Sequence, residues 1–302
     1  MATTSTPSRT AVPPVPPSGE PLPGSGSRRR RTRVLFWIGL TVASVLFLYP
    51  FLWLLGASLK PRTQVFDNAL IPKSWAWNNY VKIWDAVPVF DWFVNSVTVA
   101  IAAALAATIS SALVAFGFAY FRFPGRNAWF GLVLGTMMLP TAVTMIPVYL
   151  IWNNIGLATT QVPLWANNLF GSAFYIFLLR QFFLGLPRDL FEAARIDGAS
   201  YWALFWRIAL PLCRPALIVT FVFELRASWS DLLKPLIYLR DVELFTLPRG
   251  LKAISDQFGQ AGEQQWEIVL AGSVITTLPM VIVFFLAQRH FVYGIATQGR
   301  KG

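Results

Sequence analysis

Six apolar runs, each long enough to cross a bilayer as a helix, constrain this chain more than anything else in its sequence. They lie near residues 35–58, 94–120, 128–151, 164–184, 212–238 and 267–288, and a crossing needs about 20 residues of helix. Hydrophobic residues make up 55% of the 302 and charged ones 13%, against roughly 25% charged in soluble domains. Too little polar surface remains for a soluble globule. The runs contain Gly, Ala, Ser and Pro, as membrane helices do. They lack the two-residue alternation of a β-barrel strand. The expected fold is an all-α membrane protein with six transmembrane helices.

Basic residues set the expected orientation. One side takes Arg9, the run Arg28–Arg33, Arg122, Arg126, Arg180, Arg188, Arg195, Arg207, Arg214, Arg289, Arg300 and Lys301. That is sixteen of the 25 Lys and Arg; the opposite loops hold seven, offset by eight acids. Both termini are therefore expected in the cytoplasm. The net charge of +11 follows mostly from this asymmetry, so no nucleic-acid partner is implied. Residues 1–33, rich in Pro, Ser, Gly and Arg, read as a disordered basic tail, with the arginine cluster against anionic lipid. A six-helix membrane domain is expected over 34–292, and 293–302 as a cytoplasmic tail. The first apolar run has no small-residue cleavage site and reads as a retained span.

Chemistry of other kinds is poorly supplied. Cys213 and His290 are single, so neither a disulfide, a zinc site nor a Ser-His-Asp set is expected. No catalytic residues, metal ligands or cofactor are assigned. A G-x-x-x-x-G-K-[ST] loop is missing from the sequence, so the chain has no Walker A cradle for ATP.

The stretch between the fourth and fifth runs is unusual for a solvated connection. Leu186-Pro187 offers a helix start, Gly198 follows a run of helix formers where a left-handed residue ends a helix, and Ser200 can cap a second helix. That second helix carries Tyr201, Trp202, Phe205 and Trp206 and is expected to stop at Pro211. The result is a helix-turn-helix with apolar side chains outside the membrane, over 186–211.

Its spelling resembles the EAA coupling loop of ABC importer permeases. Glu192, Ala193 and Ala194 begin the pattern, Asp197-Gly198 follows, and Ile208-x-Leu210-Pro211 comes ten residues after the glycine. The resemblance implies that these eight residues dock on a cytoplasmic ATPase. It extends from residue 35 to the end. Met137–Leu150, Trp229…Asp231…Pro235-Leu236 and the ending Gln288–Gly302 look like the shorter, six-span subunit of the maltose-type, carbohydrate-importing branch. That branch usually has Asn where this chain has Ser230. The resemblance implies a bacterial inner-membrane complex of this permease, a second homologous permease, two ATPase subunits that bind the ATP, and an external solute-binding protein. ABC import of a peptide, amino acid or other small solute is the alternative. A secondary transporter would need its own coupling-ion site and often has an internal repeat, which the six runs do not show.

Two further features bear on a solute path. Pro140 and Pro147 should bend the third span, as a structural kink or as a gating element. The fifth run places Glu224, Arg226, Asp231 and Lys234 within apolar sequence, where charges are costly and face a partner or an aqueous cavity. One reading makes them interhelical pairs, or puts Asp231 and Lys234 at the end of a shorter span. The other has Glu224, Trp229, Ser230 and Asp231 facing the substrate, with the indole against a sugar ring. The tryptophans of the outer loop (Trp75, Trp77, Trp84, Trp92) are expected to anchor it at the membrane interface.

Overall fold

The structure, a computed structural model, describes residues 25–67, 69–259 and 265–296. Every regular element among them is helical. The chain divides into two compact units, residues 1–52 and 53–302.

The first unit is the body of α1 (Ser25–Ser58). From Val34 to Leu52 its large apolar side chains are exposed, a surface suited to lipid. Its hydroxyls are satisfied locally: Thr41 donates to the Trp37 carbonyl and Ser44 to that of Leu40, both at 2.8 Å. The helix begins nine residues inside the stretch expected to be disordered, because arginine is a good helix former and the run of arginines continues the turn. Residues 1–24 of that tail lie outside the described residues, as do 297–302 of the C-terminal one.

In the second unit α2 (Asn78–Ala86) lies outside the spans and leads into α3 (Val89–Tyr120). Helix α3 is the centre of the bundle. Ala103, Ala104, Ala107, Ala112 and Ala115 are buried on it, and these small faces let α7 and α11 pack along it. The third run is two helices, α4 (Arg126–Thr136) and α5 (Thr141–Asn154), bent by 96° at Met137–Pro140. The expectation of one kinked helix is corrected to a break. Pro140 cannot donate to the preceding turn and drives its neighbour out of the helical region. The fourth run is also bent, by 41°, between α6 (Val162–Ala166) with its following turn and α7 (Ala173–Leu184).

Helices α8 (Arg188–Ile196), α9 (Tyr201–Ala203) and α10 (Leu210–Leu212) form the connection to α11 (Arg214–Trp229). A short α12 (Leu233–Tyr238), α13 (Leu247–Gly259) and the long α14 (Trp266–Ala296) complete the chain. Two buried clusters sit at opposite ends of α3. One gathers Trp92, Trp229, Tyr238, Leu239, Ile254 and Ile268; the other gathers Phe116, Leu179, Phe183, Phe191, Leu204 and Phe205.

The fifth run departs most from expectation. Its helix stops at Trp229 after 16 residues, about 24 Å of rise. Pro235 explains the stop. Within a continuous helix its ring would meet the Asp231 carbonyl, which would also lose its donor. Instead Ser230 donates to the Arg226 carbonyl at 2.5 Å, and Asp231 Oδ1 accepts the Lys234 N–H at 3.3 Å to start α12.

Candidate functional site

The loop over 186–211 is a pair of helices around one glycine. Pro187, in extended conformation, precedes α8. Gly198 sits at φ +83°; its N–H reaches the Arg195 carbonyl and the Ala199 N–H the Ala194 carbonyl, at 3.1 and 2.9 Å. These two bonds form the glycine-terminated closure that satisfies the last carbonyls of a helix. The Ser200 hydroxyl accepts the Ala203 N–H at 3.2 Å. A wider π-type turn over Leu204–Ala209 follows. The helical path then bends by 80° at Cys213 into α11 rather than ending at Pro211.

Aromatic packing fixes this hairpin to the bundle. Phe191 and Phe205 are buried and meet Phe116 at ring distances of 6.3 and 5.3 Å. Arg195 lies over the Tyr201 ring at 4.3 Å, joining the two helices. The far side is open: Ile196 is 87% exposed and Trp202 61%, with Leu190 and Trp206 also exposed. Glu192, Ala193, Asp197, Gly198 and Pro211 lie on the surface, while Ala194, Ile208 and Leu210 are half-buried. A cavity of about 490 Å³ runs beneath, with Phe116, Tyr120, Arg122, Arg188, Phe191 and Glu192 in its wall. The Phe116–Tyr120–Phe191 contacts were not anticipated. The four-residue spacing of Phe116 and Tyr120 was visible in the sequence, but their partner on another helix was not.

The four residues expected on a substrate path are separated by the fold. Glu224 faces inward, where Asn168 Nδ2 donates to its Oε1 at 2.7 Å; the same amide reaches the Ala103 carbonyl at 3.3 Å. Trp229 is 5% exposed, stands edge-on to Phe93 and donates its indole N–H to the Thr276 carbonyl at 3.0 Å. Its ring belongs to the buried core cluster of this chain. Ser230 is exposed and Asp231 half-buried, in the non-helical step, with the Lys234 ammonium 3.2 Å from Asp231 Oδ2.

Thr276 gives this step a depth. The apolar stretch of α14 runs over Trp266–Gln288, so Thr276 lies ten residues from one end and twelve from the other. Helix α11 therefore ends at the level of the middle of a membrane-crossing helix. Non-helical backbone at such depth is tolerated only inside protein or beside water. The step after α11 therefore lies level with Thr276 of α14.

Residues 107–296 match the family described as the inner membrane component of binding-protein-dependent transport systems. The chain is 32% identical to the arabinooligosaccharides transport system permease protein AraQ of Halalkalibacterium halodurans, over 91% of this chain and 100% of that one. It is 34% identical to the sn-glycerol-3-phosphate transport system permease protein UgpE of Yersinia pestis, over 88% and 97%. The diacetylchitobiose uptake system permease protein NgcG of Streptomyces coelicolor is 29% identical over 91% of both. In fold the chain is similar to one from a bacterial ABC transporter involved in the import of the acidic polysaccharide alginate, with a TM-score of 0.77, 22% identity and coverage of 89% and 99%. With most of its length matched and its helices in the same arrangement, the chain belongs to the family of inner-membrane permease components of binding-protein-dependent ABC transport systems.

Proposed function

We propose that this chain is one of two permeases of an ATP-driven importer for a sugar or oligosaccharide. A second homologous permease completes the path. Two cytoplasmic ATPase subunits dock on the 186–211 loops, and an external solute-binding protein delivers the solute. Both termini then lie in the cytoplasm. The observation that carries the reading is the helical hairpin held rigidly by Phe116, Phe191 and Phe205 while Ile196, Trp202 and Glu192 remain exposed. A rigid projection transmits ATPase closure to the spans as a rigid-body movement. The names of the relatives support the sugar, and a solved alginate transporter bound to its periplasmic protein, at a TM-score of 0.62, supports the external partner. Ser230 and Asp231 line the path at the break in span five.

Two measurements test this. The ATPase should copurify with the wild-type chain and be lost with Glu192→Lys. A cysteine placed within 65–85 should react with an impermeant maleimide on intact cells and one at 198 should not. The opposite labelling would overturn the orientation, and unchanged ATPase capture the docking.

A further inference from the structure

Among the described residues, one charge of span five has no partner side chain. Glu224 is bonded by Asn168 and Asp231 by Lys234, but no side chain among the described residues pairs with the Arg226 guanidinium. Its place on the helix explains why. Ala216, Thr220 and Trp229 are buried and Leu225 packs on the core, whereas Phe223, Arg226 and Ser230, at helical spacings of three and four, are on the exposed side. Arg226 borders a groove of about 580 Å³ walled by Val222, Phe223, Met280, Val283 and Phe284.

Depth makes this arrangement informative. Trp229 is level with Thr276. Arg226, one turn back, stands beside Met280–Phe284, still inside the apolar stretch that ends at Gln288. An unpaired cation there is expensive in hydrocarbon and faces a partner or water. The next exposed residue on its side is Ser230, where the backbone leaves the helix and itself needs protein or water around it. Arg226 and Ser230 thus form one polar column on one face.

We propose that Arg226 lies on the water-filled translocation path and recognises an anionic group, a carboxylate or phosphate, carried by the sugar. The assignment rests on the sugar-permease reading above and names the substrate class. A guanidinium binds either anion through two parallel N–H donors. The Lys234 pair neutralises Asp231, so the column is net positive.

The test uses the full complex with its second permease, ATPase and binding protein. Uptake is measured for uronate-bearing and phosphorylated oligosaccharides and for neutral ones of equal length. The expected result is uptake of acidic probes, reduced at least about tenfold by Arg226→Gln, as for loss of a charge-assisted bond, and largely kept by Arg226→Lys, with assembly unchanged. Arg226→Cys in a Cys213→Ser background should react with a water-soluble thiol reagent. Uptake confined to neutral probes, or acidic uptake indifferent to Arg226→Gln, overturns the assignment. Loss of assembly in Arg226→Gln would mean a carboxylate of the second permease, and an unreactive cysteine a lipid-facing arginine; either overturns it too. Uptake of no sugar in either set would instead defeat the sugar-permease reading itself.

Discussion

Gly250, in the first turn of α13, faces the Trp92 ring so closely that a Cβ on the glycine would lie 2.1 Å from it. The indole is held there by its N–H bond to the Val242 carbonyl at 2.7 Å and by contact with Phe245. Asn95 and Ser96 add bonds from α3 to the same segment, to the Phe245 carbonyl and the Leu247 N–H. This is how the segment after span five is fixed to the start of α3.

Gly250→Ala should therefore destabilise the protein by about 1–3 kcal/mol, the usual cost of overpacking a filled site. Trp92→Phe loses one hydrogen bond, about 1 kcal/mol, and leaves a void where the larger indole was packed. Thermal unfolding in detergent would show both as losses of stability. Equal stability of Gly250→Ala and wild type would contradict the close approach.

Gly198 makes a different demand. A Cβ there would meet nothing within 4 Å, yet φ is +83°. Substitution costs about 1 kcal/mol through the backbone alone. Gly198→Asn should be mild, because asparagine tolerates the left-handed region, and Gly198→Val severe. Uptake and ATPase capture should fall in that order while membrane insertion stays normal. Equal loss in both variants would point to a side-chain clash with the ATPase instead.

Lys60 ties down the loop that precedes α2 through a pH-dependent contact. It is 1% exposed, pairs with the Asp67 carboxylate and donates to the Asp67 and Ala69 carbonyls at 3.1 and 2.6 Å. The hydrogen bond from Lys60 holds the Asp67 carboxyl below its ordinary value of 3.8. A carboxyl lowered by folding stabilises the protein at pH above that value, and the stabilisation is lost as pH falls below it. Proteolysis of the 60–80 loop should accelerate below about pH 4 in wild type. Asp67→Asn should be cut faster at neutral pH with little further change on acidification. A wild-type loop as resistant at pH 3 as at pH 7 would exclude the pH-dependent contact.

The spans were legible because apolar length is a local property, and so were the start of α8, the Gly198 turn and the Ser200 cap, each set by one or two residues. The breaks were less so. Pro140 signalled a bend, but the difference between a kink and 96° depends on what surrounds the freed carbonyls. The end of α11 was readable in principle from Pro235, four residues after Asp231, because its ring excludes a helical Asp231 carbonyl from the turn before it. The burial of Trp229 was not legible, because its partner, the Thr276 carbonyl, is 47 residues away. No periodicity reports which ring finds which carbonyl across a bundle. Pairing over such distances is a property of the packed helices.

The pair Asp231–Lys234 separates a structural from a solute-binding break. The groups are 3.2 Å apart and both reach the surface of this chain, at side-chain exposures of 21% and 39%. Asp231 also accepts the Lys234 N–H that begins α12, a cap worth about 1 kcal/mol. Asp231→Asn keeps that cap but leaves the lysine unpaired at mid-membrane depth, so assembly should fall; Lys234→Gln leaves the acid unpaired and should do likewise. The double change Asp231→Asn with Lys234→Gln removes both charges and should restore assembly, a coupling of about 0.5–3 kcal/mol in a double-mutant cycle. If Asp231 also lines the path, the restored complex still lacks an ionised acceptor for sugar hydroxyls, and uptake stays below wild type. Trp229→Phe serves as the control: it loses the Thr276 bond, so it should lower stability without altering which solute is carried. Full uptake by the double variant would remove Asp231 from the path and leave the pair a purely structural clasp.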